Sequence, residues 1–247
     1  MIFQLEHIWI FICILPVIAF LYSSVGHGGA SGYLALMALF SFAPGIMKPT
    51  ALLLNIFVAG IAFFHYYKAG YFNKKLFLSF ALTSIPFAFL GGMLDIEASI
   101  YKKILAVLLI FAILKMLDVF GKESKTIKDI KIWQGLIVGG VIGFFSGLIG
   151  IGGGIILTPV ILLLHWGNMK AAAAVSALFI WVNSVSALLG QVSSGIAITS
   201  DTFILAAIAF VGGFIGSYYG SKKINNLRLR YLLAVVLIIA SVKLFFV

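Results

Sequence analysis

The chain alternates between long apolar runs and short polar or glycine-rich connections, and the run lengths set the expected elements. In the first half, apolar stretches run from Ile8 to Tyr22, Gly32 to Ala43, Ala51 to Tyr67, Leu76 to Leu94 and Lys102 to Val119. The second half repeats the order with Ile132 to Ile149, Ile155 to His165, Ala171 to Gln191, Phe203 to Gly220 and Leu229 to Phe246. The longer runs approach the ~20 residues that a helix needs to cross hydrocarbon, and they lack the alternation of a membrane β-strand. An all-α integral membrane protein is expected. The second run of each half is too short to cross, because about a dozen residues at ~1.5 Å each reach ~18 Å against ~30 Å of hydrocarbon.

Each short run follows a glycine-rich break, Ser24-Val25-Gly26-His27-Gly28-Gly29-Ala30 in the first half and Leu148-Ile149-Gly150-Ile151-Gly152-Gly153-Gly154 in the second. Backbone freed from helical bonding is tolerated at membrane depth only where protein buries it or it lines a wet cavity. Transporters built from repeats place such breaks near the midplane. A helical hairpin around each break is therefore expected, with three further transmembrane helices after it.

Aligning Gly26 with Gly150 and Gly29 with Gly153 brings other landmarks into order. Met47-Lys48 meets Met169-Lys170, Gly91-Gly92 meets Gly212-Gly213, and Leu105-Ala106-Val107 meets Leu233-Ala234-Val235. The order reads as an internal duplication, with a first transmembrane repeat at 1–120, a linker at 121–131 and a second transmembrane repeat at 132–247.

Charge decides how the copies are oriented. Putting the linker lysines Lys122, Lys125, Lys128 and Lys131 in the cytoplasm and inverting the second copy places Lys68, Lys74, Lys75, Lys170, Lys222, Lys223, Arg228 and Arg230 on the same side. Only Lys48, Lys102 and Lys103 then fall outside. Parallel copies would expose Lys222, Lys223, Arg228 and Arg230 instead. Two inverted repeats with both termini outside the cytoplasm are expected. Lys115 and Lys243 lie within a turn or two of helix ends, where snorkelling accommodates them.

Composition agrees with a membrane class. Of 247 residues 63% are hydrophobic and 10% charged, and the mean hydropathy is +1.19. The net charge of +10 sits mostly in short connections, which argues for topology determinants near lipid headgroups and against nucleic acid. The single Cys13 excludes an internal disulfide. No Lys or Arg precedes the first apolar run, so that segment is expected to stay rather than be cleaved.

The breaks carry the candidate chemistry. A glycine turn that opens a helix leaves backbone N–H groups free and adds the positive end of the helix dipole, which together make an anion site without a basic side chain. None of the seven acidic residues sits in the middle of a span, so no carboxylate is placed to bind a cation in the bilayer. Gly26, His27, Gly28, Gly29, Gly150, Gly152, Gly153 and Gly154 are the expected anion-holding residues. Asn55, Ser176 and Asn183 complete the expected substrate site, with Ser23, Ser24, Ser31, Ser146, Thr158, Ser186 and Gln191 as further polar groups nearby. His27 admits two roles, a proton carrier beside the anion or a neutral imidazole giving one fixed hydrogen bond. The four histidines are dispersed, so no metal site is expected. Nor is there a phosphate-cradle Gly-Lys-Ser or Gly-Lys-Thr sequence, and no cofactor is expected. No nucleophile and base stand at an enzymatic spacing.

The motif Gly150-Ile151-Gly152-Gly153-Gly154 with Pro159, the duplicated glycine break and the Ala/Ser-rich span after Met169-Lys170 resemble the TauE/SafE family of small membrane permeases for sulfite, sulfonates and related sulfur anions. The first copy departs from the motif, with His27 in place of an apolar residue, Ala30 in place of a glycine and no counterpart of Pro159. The resemblance implies a permease, not an enzyme, that moves a small anion such as sulfite or an organosulfonate across a bacterial inner membrane. Its partners would be that anion and membrane lipids; a co-transported proton and homo-oligomers stay open. The alternative on the same architecture is a passive channel for a small anionic or neutral solute.

Overall fold

The computed structural model describes residues 8–116 and 127–222, together with 238, 241 and 242. The described regular structure is entirely helical: α1 (Ile8–Ser23), α2 (Ala30–Leu39), α3 (Pro44–Lys68), α4 (Lys74–Met93), α5 (Ala98–Met116), α6 (Ile132–Ile149), α7 (Gly154–Leu163), α8 (Met169–Ser193) and α9 (Ser200–Lys222). Five of these, α3, α4, α6, α8 and α9, are long and apolar enough to cross a membrane. All but residues 238, 241 and 242 of the expected run from Leu229 to Phe246, most of the linker, Lys243 and the side chain of Lys115 lie outside the described residues.

The expected runs all recur as helices where they are described, and the largest difference is at α3. It begins at Pro44, about two turns before the expected Ala51. Pro44 occupies the first helical turn, where a missing N–H costs nothing and the fixed φ is already helical. Pro49 and Lys48, which look like breakers in sequence, continue the helix: Lys48 is buried and its Nζ donates to Leu94 O at 3.0 Å. At the short helices the glycines set the limits. Gly29 (φ 101) precedes α2, Gly150 (φ 84) ends α6 and Gly153 (φ 77) precedes α7, all in left-handed conformations that favour glycine.

Glycine also sets the packing. α4 lies along α6 and α8, while α9 lies along α1 and α3. A Cβ on Gly139, Gly143 or Gly147 would fall on the carbonyl oxygen of Phe80, Ser84 or Ala88. One on Gly212, Gly216 or Gly220 would fall on that of Pro16, Phe20 or Ser24. Both pairs therefore run parallel at backbone contact, as small residues allow in membranes.

Contacts at the helix ends fix which ends lie together. Lys128 N donates to His165 O at 2.7 Å, and Lys75 Nζ lies 3.4 Å from Asp129 Oδ1. Lys170 Nζ donates to Gly220 O at 2.7 Å and stands 5.6 Å from the ring centroids of Tyr66 and Tyr71. One end of the molecule thus gathers the described part of the linker, the ends of α3, α7 and α9 and the starts of α4 and α8. At the other end Phe11 packs on Phe40 and Phe42, Lys48 reaches Leu94 O, and Tyr101 Oη donates to Ile149 O at 3.1 Å. The α2 arm returns beside the start of α1, and the α7 arm beside the chain that leads into α6.

Candidate functional site

The two glycine turns meet at the middle of the α3–α8 pair. Asn55 and Ile180 each fall near the centre of a 25-residue helix. A methyl group on Gly28 would overlap Asn55 Oδ1 and Ile180 Cγ2; one on Gly152 would overlap Asn55 Nδ2 and the same Ile180 carbon. Gly154 approaches Ile180 and Ser176. The first turn of α2 and the first turn of α7, from opposite halves of the chain, therefore open onto the same two side chains. Neither N-cap, Gly29 or Gly153, supplies a side-chain cap.

The polar groups around this meeting point are buried, and several are unpaired. Asn55 Nδ2 donates to Ser184 Oγ at 3.3 Å, whereas Oδ1, aimed at Gly28, has no partner among the described residues. Tyr33 Oη stands over Gly29 and Ser146 lies beside Gly153; neither hydroxyl has a partner among the described residues. A buried polar atom without a partner costs about 1–3 kcal/mol, and here three of them surround two uncapped helix starts.

His27 joins the halves. Its Nδ1 lies 3.0 Å from Val25 O, and its Nε2 lies 3.1 Å from Thr158 Oγ1, which is 2.7 Å from Ser176 Oγ. The hydrogen-bonded row runs from the first break through α7 to α8. Ser31 Oγ donates to Tyr22 Oη at 2.9 Å, and Tyr66 Oη donates to Ser24 O at 2.9 Å, holding the first break to α3.

Of the expected site residues, Gly28, Gly152, Gly154, Asn55 and Ser176 come together, with His27 linked through Thr158. Gly29 and Gly153 cap the two helices. Gly26 and Gly150 stand farther out, against Ala173 and Lys48. Asn183 bonds differently: its Nδ2 donates to Phe179 O, one turn back on α8, at 2.7 Å. Ser184, Ile180 and Tyr33 escaped the sequence reading. Ser176, Ile180 and Ser184 recur every four residues, so they share one face of α8, and that spacing was the available signal.

This architecture defines the class: a multi-pass helical membrane protein built around a buried polar centre where two half-helices begin. The chain belongs to the TauE/SafE sulfite exporter family, whose model matches residues 10–244. It is 37% identical over 233 residues to the "Probable membrane transporter protein y4hK" of Sinorhizobium fredii, covering 92% of this chain and 94% of that protein. It is 27% identical over 137 residues to the "Probable membrane transporter protein MJ0441" of Methanocaldococcus jannaschii, covering 54% and 51% of the two chains. The "Probable membrane transporter protein YunE" of Bacillus subtilis is 29% identical over 112 residues, covering 45% and 41%. No solved structure matches the chain. The protein is a membrane transporter and not an enzyme.

Proposed function

We propose that this protein is a secondary transporter of a small sulfur oxyanion, sulfite or an organosulfonate, in a plasma membrane of the bacterial inner-membrane type. The observation that carries the reading is the meeting of two uncapped helix N-termini at Asn55, among buried polar atoms that lack partners. Each N-terminus presents unbonded N–H groups and a partial positive charge, and together they suit an anion held between the hairpins. Rotating the Asn55 amide by half a turn would let its oxygen accept from Ser184 and turn its NH₂ toward the anion. The sulfur chemistry rests on the family description alone.

Two inverted repeats, 1–120 and 132–247, joined by a cytoplasmic linker at 121–131, account for the contacts at the helix ends. Lys68, Lys74, Lys75, Lys128, Lys131, Lys170 and Lys222 belong to the linker end, whereas Lys48, Lys102 and Lys103 belong to the other. Each hairpin enters from its own side, and one repeat rocking against the other would expose the anion alternately. Counterflow in proteoliposomes tests the function. Internal unlabelled sulfite should accelerate uptake of labelled sulfite, with saturation. Flux that neither saturates nor responds to internal sulfite would make the protein a channel.

A further inference from the structure

The walls of the meeting point differ in chemistry. The backbone N–H groups at the starts of α2 and α7 reach it from opposite halves of the chain. Asn55 lies between them, since a Cβ on Gly28 would overlap its Oδ1 and one on Gly152 its Nδ2. With the amide turned so that its NH₂ faces the ligand, these are three donor directions. Ile180 is the remaining wall. Its Cγ2 would stand 2.9 Å from a Cβ on Gly28 and 2.9 Å from one on Gly152, and its Cδ1 and Cγ1 would overlap one on Gly154. The side chain is buried and can neither donate nor accept a hydrogen bond.

The same face of α8 carries a hydroxyl one turn before Ile180 and another one turn after it, Ser176 and Ser184. Both are engaged within the protein, Ser176 Oγ with Thr158 Oγ1 at 2.7 Å and Ser184 Oγ with Asn55 Nδ2 at 3.3 Å. An apolar residue thus stands between two serines where α8 meets both glycine turns.

An anion held here finds donors in three directions and hydrocarbon in the fourth. A pyramidal group of three oxygens suits that arrangement. Sulfite points three oxygens to one side and a sulfur lone pair to the other; an alkanesulfonate points three oxygens to one side and carbon to the other. Sulfate has a fourth oxygen, which would lose its water against Ile180 and gain no partner.

Resting on the anion-site reading, we infer that Ile180 is a specificity-determining residue: it selects anions with three oxygens and an apex that needs no hydrogen bond, sulfite and small alkanesulfonates, and rejects sulfate.

The test is calorimetric titration of sulfite, sulfate and methanesulfonate into the purified full chain and into Ile180→Thr. In mildly alkaline buffer sulfite and sulfate are both mainly dianions, so the comparison isolates the fourth oxygen. Methanesulfonate has a methyl group where sulfate has that oxygen, which separates polarity from size. An apolar pocket rejects an added polar oxygen by about a hundredfold at most, so sulfite should bind roughly 10- to 100-fold more tightly than sulfate, and methanesulfonate should also bind more tightly than sulfate. In Ile180→Thr the new hydroxyl can donate to the fourth oxygen, so sulfate should gain about tenfold while methanesulfonate loses affinity. A residue that only packs would shift both anions the same way.

Sulfate bound at least as tightly as sulfite by the wild type overturns the inference and leaves the anion site standing. Sulfate and methanesulfonate moving in the same direction, or neither moving, in a folded Ile180→Thr does the same. Failure of all three anions to bind the wild type overturns the anion site itself. If Ile180→Thr does not fold, Ile180→Ala decides. Water admitted beside the shortened side chain can bond the fourth oxygen, so the preference for sulfite over sulfate should shrink, and an undiminished preference overturns the inference.

Discussion

Asn55 is the residue on which both halves of the chain converge. It is fully buried, touches the turns at Gly28 and Gly152, and keeps one amide atom without a partner. Removing a hydrogen bond to a charged ligand costs about 1.5–3 kcal/mol, so Asn55→Ala should weaken anion binding about tenfold or more in a direct binding assay. Gly28 and Gly45 make a second comparison. A Cβ at Gly28 would occupy the space between Asn55 and Ile180, whereas one at Gly45 meets open space. Gly28→Ala should abolish uptake in proteoliposomes, and Gly45→Ala should leave it at the wild-type rate. The residues of this site were legible in sequence to different degrees. His27 and Asn55 stood out because a polar side chain inside an apolar run needs a reason. Tyr33 did not, because its hydroxyl matters only through the fold of the glycine turn beside it. Ser184 was one serine among several on a small-residue helix.

At the scale of elements, the glycine breaks were visible because they interrupt otherwise uniform hydrophobicity. The start of α3 was not, because Pro44, Lys48 and Pro49 resemble an end signal until the contact of Lys48 with Leu94 O is known. Helix packing was equally hidden: a glycine that admits a backbone and one that faces open space read alike. Gly147 and Gly140 on α6 separate the cases. A Cβ on Gly147 would fall on Ala88 O, whereas at Gly140 its nearest neighbour is Thr83 Cβ at 3.6 Å, an ordinary contact. Gly147→Ala should destabilise by about 1–3 kcal/mol through overpacking, read as a lower melting temperature in detergent. Gly140→Ala should be neutral or raise it slightly, since Ala favours the helix over Gly by about 1 kcal/mol.

For the molecule as a whole, the order of elements followed from run length, and of the basic residues expected on one side Lys75, Lys128 and Lys170 stand at one end of the described helices. Register within the proposed duplication was harder to see. Counting from the breaks, Phe20 corresponds to Phe144, and these meet Gly216 and Gly91 respectively. The packing therefore pairs Gly91 with Gly216, one turn beyond the Gly212 that sequence alone offered, because similar dipeptides recur at helical spacing in α9. Cysteine labelling of intact cells, in a Cys13→Ser background, tests the inverted arrangement. Cysteines placed at Lys74 and Lys128 should both be shielded from an impermeant outside reagent, and one at Lys102 should react. Opposite reactivity at Lys74 and Lys128 would break the arrangement.

The most direct test of the central claim is calorimetric titration of sulfite and methanesulfonate into the purified protein and into a Gly152→Ala variant. Gly152 has φ +75, and an added Cβ would overlap Asn55 and Ile180, so the substitution fills the meeting point of the two helix N-termini. Saturable binding of at least one of these anions by the wild type, absent from a variant that still elutes as a folded particle, is the predicted result. Undiminished binding in a folded variant, or no anion binding by the wild type, would contradict a site built where the two glycine turns meet.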